Sequence, residues 1–124
     1  MKDQKFSFAQ RLRSFSYAFN GLKILLKEEH NARLHLVTAI LVVIAGIILK
    51  LSAMEWVAII LAITFVLIAE IINTSIENVA DFISPAKHDQ IKKIKDLAAA
   101  GVLISAISAL IVGLIIFLPK VLEF

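Results

Sequence analysis

The chain has 124 residues, 60% of them hydrophobic, with a net charge of +3 and a mean hydropathy of +0.89. A soluble domain is closer to about 45–50% apolar, so the composition describes an integral membrane protein with room for one domain, residues 1–124. The absence of cysteine excludes disulfides, thiolate metal sites and cysteine nucleophiles, and the basic residues flank hydrophobic spans, where anionic headgroups rather than nucleic acid are the natural partners.

Met1 to Lys5 are polar, and the first thirty or so residues contain no apolar segment of the signal-peptide kind. From Phe6 to Glu29, Phe8, Leu12, Phe15, Phe19, Leu22, Leu25 and Leu26 recur at spacings of three and four, with Arg11, Arg13, Lys23 and Lys27 among the remainder. This pattern predicts a basic amphipathic helix over 6–29 lying on the membrane surface. A soluble coiled-coil arm is the alternative, and the phenylalanines argue against it. Glu28-Glu29-His30-Asn31-Ala32-Arg33 follows, where the surface helix meets the first span. Glu29 and Arg33 are one turn apart there, the spacing of an ordinary i,i+4 salt bridge.

Three apolar spans come next. The first runs from about Leu34 to Leu49, with Lys50 able to snorkel, giving a membrane helix over 34–50. Leu51 to Glu55 make a short turn, and Trp56, an aromatic typical of the bilayer interface, opens the second helix over 56–80. The third, over 96–118, is apolar from Leu97 to Leu118 and stops at Pro119-Lys120. Spans of about sixteen to twenty-two residues suit helices that cross a ~30 Å hydrocarbon core. Lys and Arg are concentrated before the first span (Lys2, Lys5, Arg11, Arg13, Lys23, Lys27, Arg33) and in the second loop (Lys87, Lys92, Lys93, Lys95). The positive-inside rule therefore predicts a cytoplasmic N-terminus and second loop, with the C-terminus outside.

Glu70 ends an uncharged run from Trp56 to Ala69. On a helix, Glu70, Asn73, Glu77 and Asp81 fall within an arc of about 80°. An ionisable residue at the end of such a run reads as functional. The face suits a divalent cation or a proton, or else its acids are merely solvated or paired with lysines. Lys95-Asp96, at the entrance to the third span, offers phosphate neutralisation or a plain helix cap. Tyr17 and His88 are candidates to flank a purine ring, whereas His30 and His35 carry no metal-site spacing. No Walker loop or dinucleotide fingerprint is present, so a nucleotide would need carboxylate-bound magnesium and a lysine. Gly101, Ser105, Ala109 and Gly113 recur every four residues, a spacing that lets membrane helices approach closely, either within the chain or between subunits.

Glu70-x-x-Asn73-[Thr/Ser]-x-Ile76-Glu77-x-x-x-Asp81, followed by Lys95-Asp96 and the small-residue helix, resembles the prokaryotic diacylglycerol kinase family, which includes the undecaprenol kinases. The likeness extends over essentially the whole chain, including Tyr17, Gly21 and the Glu29/Arg33 junction. It implies a homotrimeric kinase of the inner (plasma) membrane with shared sites, moving the γ-phosphoryl of Mg-ATP to the primary hydroxyl of a lipid. By position, the resemblance makes Glu70 the general base, supported by Asn73. Glu29 and Glu77 would hold Mg²⁺ on the nucleotide. Lys95, Asp96, Tyr17 and His88 would surround that nucleotide, and Arg11, Arg33 and Glu70 would meet the substrate. The family's amino-terminal arginine falls opposite Gln10, with Arg11 adjacent and Arg13 near. Asn31-x-x-x-His35 and Leu51-Ser52-x-x-Glu55-Trp56 look more like the undecaprenol kinase branch, so undecaprenol is the expected acceptor and diacylglycerol the alternative. A small proton-coupled transporter is the remote competitor; three spans without an internal repeat speak against it.

Overall fold

The computed structural model describes residues 7–124, which form four helices: α1 (Phe8–Glu28), α2 (His30–Ile48), α3 (Ala53–Ile83) and α4 (Asp89–Glu123). The all-helical expectation is met, and α2, α3 and α4 are each long and apolar enough to cross a membrane. Lys2, Lys5 and the predicted helix start at Phe6 lie outside the described residues.

Ser7 starts α1, its Oγ accepting the Gln10 N–H at 3.4 Å. Leu25 is buried, while Phe8, Phe15 and Phe19 stand exposed, so their stripe finds no cover among the described residues. Glu29 alone separates α1 from α2. It is extended, at φ −106° and ψ 109°, and is at once the last cap of α1 and the first of α2. Its N–H donates to the Leu25 carbonyl at 2.9 Å, and its own carbonyl accepts the Arg33 N–H at 3.3 Å. No glycine or proline stands at this corner, so no local breaker imposes it. Packing of α1 on α3 does, with Asn78 donating to Glu28 at 3.3 Å across the gap.

At the other end of α2 the chain reverses tightly. Lys50 adopts φ 55°. The Leu51 N–H reaches the Gly46 carbonyl at 3.1 Å and the Lys50 N–H reaches Ile47 at 3.3 Å, the pair of bonds that closes a Schellman cap. Ser52 and Glu55 then form a reciprocal capping box that begins α3. Leu51, Ile59 and Ile116 make a small core against this turn, packed with Trp56 and Phe117.

The two later helices outrun the apolar stretches that predict them. At 1.5 Å per residue α2 is about 28 Å long, α3 about 46 Å and α4 about 52 Å, against a hydrocarbon core of about 30 Å. Instead of stopping at Pro119, α4 continues through it to Glu123. A proline there removes one backbone hydrogen bond and crowds the carbonyl four residues earlier, while Lys120 Nζ ties this end back to Glu55 of α3 at 3.1 Å. At the opposite end Lys95 of α4 pairs with Asp81 of α3. α3 and α4 thus lie antiparallel, cross-linked by charge at both ends, and make the most extensive helix contact in the chain.

Candidate active site

Glu70 lies about 26 Å along α3 from Ala53 and about 21 Å from Trp56. Its side chain is only 1% exposed. His35 of α2 approaches it, Nε2 standing 3.1 Å from Oε1, off the line of a hydrogen bond. One turn on, Asn73 is also buried, its Nδ2 donating to Glu77 Oε1 at 3.1 Å. Asn73 Oδ1 and Thr74 Oγ1 are buried without a hydrogen-bond partner, as is Glu70 Oε1. Three unmet polar atoms on adjacent turns of a membrane helix are costly. Such a cluster is what a polar ligand would satisfy.

The corner residue Glu29 brings a further carboxyl to this face, beside Glu77 and Thr74 and within electrostatic reach of Glu70. Burial, and then the negative charge of Glu77, push the Glu29 carboxyl above the usual carboxylate range. Two carboxyl groups held against each other need a proton or a cation between them, so the donor set fits a divalent metal. Among the described residues no three acidic or histidine side chains gather to hold a metal by themselves. That suits Mg²⁺, which is commonly bound by one or two carboxylates together with substrate phosphates.

Asp81 completes the predicted face differently, being exposed and paired with Lys95, so one of its three acids is matched by a lysine. Asp96 is exposed and bound at 2.6 Å to Lys92 one turn earlier. His88 caps α4, its Nδ1 accepting the Gln90 N–H at 3.1 Å. Tyr17 is 71% exposed on α1. The structure therefore gathers Glu29, Glu70, Asn73 and Glu77 at one place, with Lys95 held on the same face by Asp81, while Tyr17, His88 and Asp96 occupy exposed positions on α1 and at the start of α4. Arg33 is exposed in the first turn of α2. Sequence reading missed His35 and Thr74. His35 carries the signal that singled out Glu70, an ionisable side chain next to an uncharged apolar run.

Below Glu70, between α2, α3 and α4, lies a cleft of about 510 Å³. His35 stands at its head, and Val42, Ile63, Leu67, Ala109 and Phe117 are among the residues along its walls. A buried acid next to the histidine that lines the head of an apolar cleft is placed to meet an alcohol whose other end is hydrocarbon.

Comparison with known proteins supplies the decisive observation: the family model for prokaryotic diacylglycerol kinase matches residues 16–117. The chain belongs to the prokaryotic diacylglycerol kinase family. It is similar to the undecaprenol kinase of Bacillus subtilis, at 36% identity over 119 residues covering 96% of this chain and 97% of that protein. It is also similar to the diacylglycerol kinase of Escherichia coli strain K12, at 31% identity over 111 residues, 90% of this chain and 91% of that one. A diacylglycerol kinase of Synechocystis matches at 37% over 111 residues, 89% of this chain but 63% of its own length. Membership makes the protein a lipid kinase, a multi-pass membrane enzyme that transfers a phosphoryl group from ATP to a lipid. The transporter reading is set aside.

Proposed function

We propose that this lipid kinase phosphorylates undecaprenol to undecaprenyl phosphate, with Glu70 as general base. The observation that carries the reading is the position of Glu70, buried against His35, which lines the head of the apolar cleft, and one to two turns from Asn73 and Glu77. The lipid hydroxyl enters from the cleft and the nucleotide from the polar side. Glu70 takes the hydroxyl proton as the oxygen attacks the γ-phosphorus. Asn73 orients Glu77. Glu29 and Glu77 would hold Mg²⁺, which supplies charge neutralisation on the phosphates; positioning and electrostatics are most of what phosphoryl transfer needs. Lys95, released from Asp81, adds positive charge there, with Asp96, Tyr17 and His88 toward the nucleotide and Arg11 and Arg33 toward the substrate.

Three further points belong to this reading. The N-terminus and the site face the cytoplasm and the C-terminus faces out, because the basic residues concentrate on that side. α1 lies on the surface of the inner membrane, its exposed phenylalanines in the headgroup boundary. Three copies share sites, which would cover the open faces of α2 and α4. Similarity along nearly the full length of the Bacillus undecaprenol kinase favours the prenol over diacylglycerol.

The test is transfer of labelled phosphate from Mg-ATP in mixed micelles, with undecaprenol and diacylglycerol offered separately and in competition. Preference for the prenol is the expected outcome, and preference for diacylglycerol would reverse the acceptor assignment. Glu70→Gln should abolish turnover while leaving nucleotide binding intact; a variant that retained turnover would remove Glu70 from the base role.

A further inference from the structure

His35 Nε2 stands 3.1 Å from Glu70 Oε1, which is buried and makes no hydrogen bond among the described residues. His35 also heads the cleft, and below it the one other polar side chain on the walls is Thr38. The Thr38 hydroxyl already donates to the Leu34 carbonyl at 2.9 Å. An alcohol entering along the cleft therefore passes mostly hydrocarbon until it reaches His35, with Glu70 buried directly behind the imidazole. His35 is only partly buried, its side chain 29% exposed, and stands between the open cleft and the buried carboxylate.

We propose that His35 is the positioning residue for the phosphoryl acceptor, fixing one oxygen of Glu70 so that the other meets the incoming hydroxyl. The inference rests on Glu70 being the base. Misaligned hydrogen bonds of this kind are common before substrate arrives and tighten when it does. With its proton on Nε2, the imidazole donates to Glu70 Oε1 and leaves Oε2 as the proton acceptor. The acceptor oxygen then forms its bond to the γ-phosphorus as its proton passes to Oε2. The bond from that phosphorus to the β–γ bridging oxygen breaks, its electron pair leaving with ADP. His35 keeps its proton throughout and touches neither phosphate nor metal ligand. Because the imidazole also borders the path of the alcohol, it acts on the lipid side of the reaction alone.

The experiment compares His35→Ala, His35→Gln and Glu70→Gln in the full chain, with undecaprenol and diacylglycerol as acceptors. A displacement of a catalytic group by about 1 Å costs on the order of 100-fold in rate. His35→Ala should lose that much in kcat with the KM for Mg-ATP unchanged. His35→Gln, which keeps an N–H donor at a similar reach, should recover most of the loss, and added imidazole should partly rescue His35→Ala. A purely structural role would produce neither recovery. Normal turnover in His35→Ala, equal losses in Ala and Gln, or a loss confined to the KM for ATP would each overturn the proposal. If His35→Ala fails to fold, His35→Leu, which fills the space with hydrocarbon, takes its place, and failure of both would make the residue structural. Glu70→Gln separates the two readings. Retained activity there removes the base assignment itself, whereas an inactive Glu70→Gln beside normal His35 variants removes only the role of His35.

Discussion

Glu29 sits with its carboxyl against Glu77 and above its ordinary pKa, first because it is partly buried and second because of the negative charge of Glu77 beside it. A carboxyl whose pKa is raised on folding contributes stability at low pH, and that contribution is lost as pH rises through the raised value. Without magnesium, the melting temperature should therefore fall as pH climbs above the usual carboxylate range of about 4.3. A cation bound by Glu29 and Glu77 requires the ionised form, so the stabilisation by magnesium should grow over the same interval. Thermal melts in micelles with and without magnesium check both signs, and Glu29→Gln should flatten the pH dependence. The face from Glu70 to Asp81 was legible in the sequence because helical periodicity alone puts its residues together. The partnership of His35 with Glu70 was not, since it depends on the register of α2 against α3, which no local pattern encodes. The fate of Asp81 was open for the same reason: only the path of α4 decides that Lys95 meets it.

Helices were read well where a cap or a change of composition marks them, and less well where packing decides their ends. The corner at Glu29 was placed by the change from amphipathic to apolar pattern. The extension of α4 past Pro119 was not anticipated, because the Lys120–Glu55 pair that ties down its end joins residues far apart in sequence. The α2–α3 turn shows how little space such a connection leaves. A Cβ on Gly46 would stand 2.7 Å from Trp56 Cη2 and 2.9 Å from Leu51 Cδ1. Gly46→Ala must push the indole or the leucine aside, and overpacking of that kind costs about 1–3 kcal/mol. The variant should melt at a lower temperature than the parent in the same micelle, and an unchanged melt would show that the turn yields freely.

As a whole molecule, the chain buries few side chains and leaves long apolar faces on α2, α3 and α4 open. Lipid accounts for much of that surface. The small-residue stripe divides: Ala109 and Gly113 border the cleft, while a Cβ on Gly101 would meet nothing within 4 Å. Gly101→Leu consequently meets no obstruction inside one chain and bears on contacts between copies. If the proposed trimer forms, cross-linking in micelles should show its loss for this variant; an oligomer unchanged by the substitution would take Gly101 out of any subunit interface. The number of spans and their order were legible because apolar run lengths are set by the membrane itself, whereas assembly depends on surfaces that composition describes only in outline. The helix lengths carry a last consequence. α3 and α4 exceed the bilayer and have overhang to spare, while α2, at about 28 Å, roughly equals it and is held between the Glu29 corner and the left-handed Lys50 turn. Hydrophobic mismatch therefore bears most on α2, the helix that carries His35, and with His35 in its proposed role turnover should vary with the acyl-chain length of the host lipid, a dependence read by assay in bilayers of graded thickness.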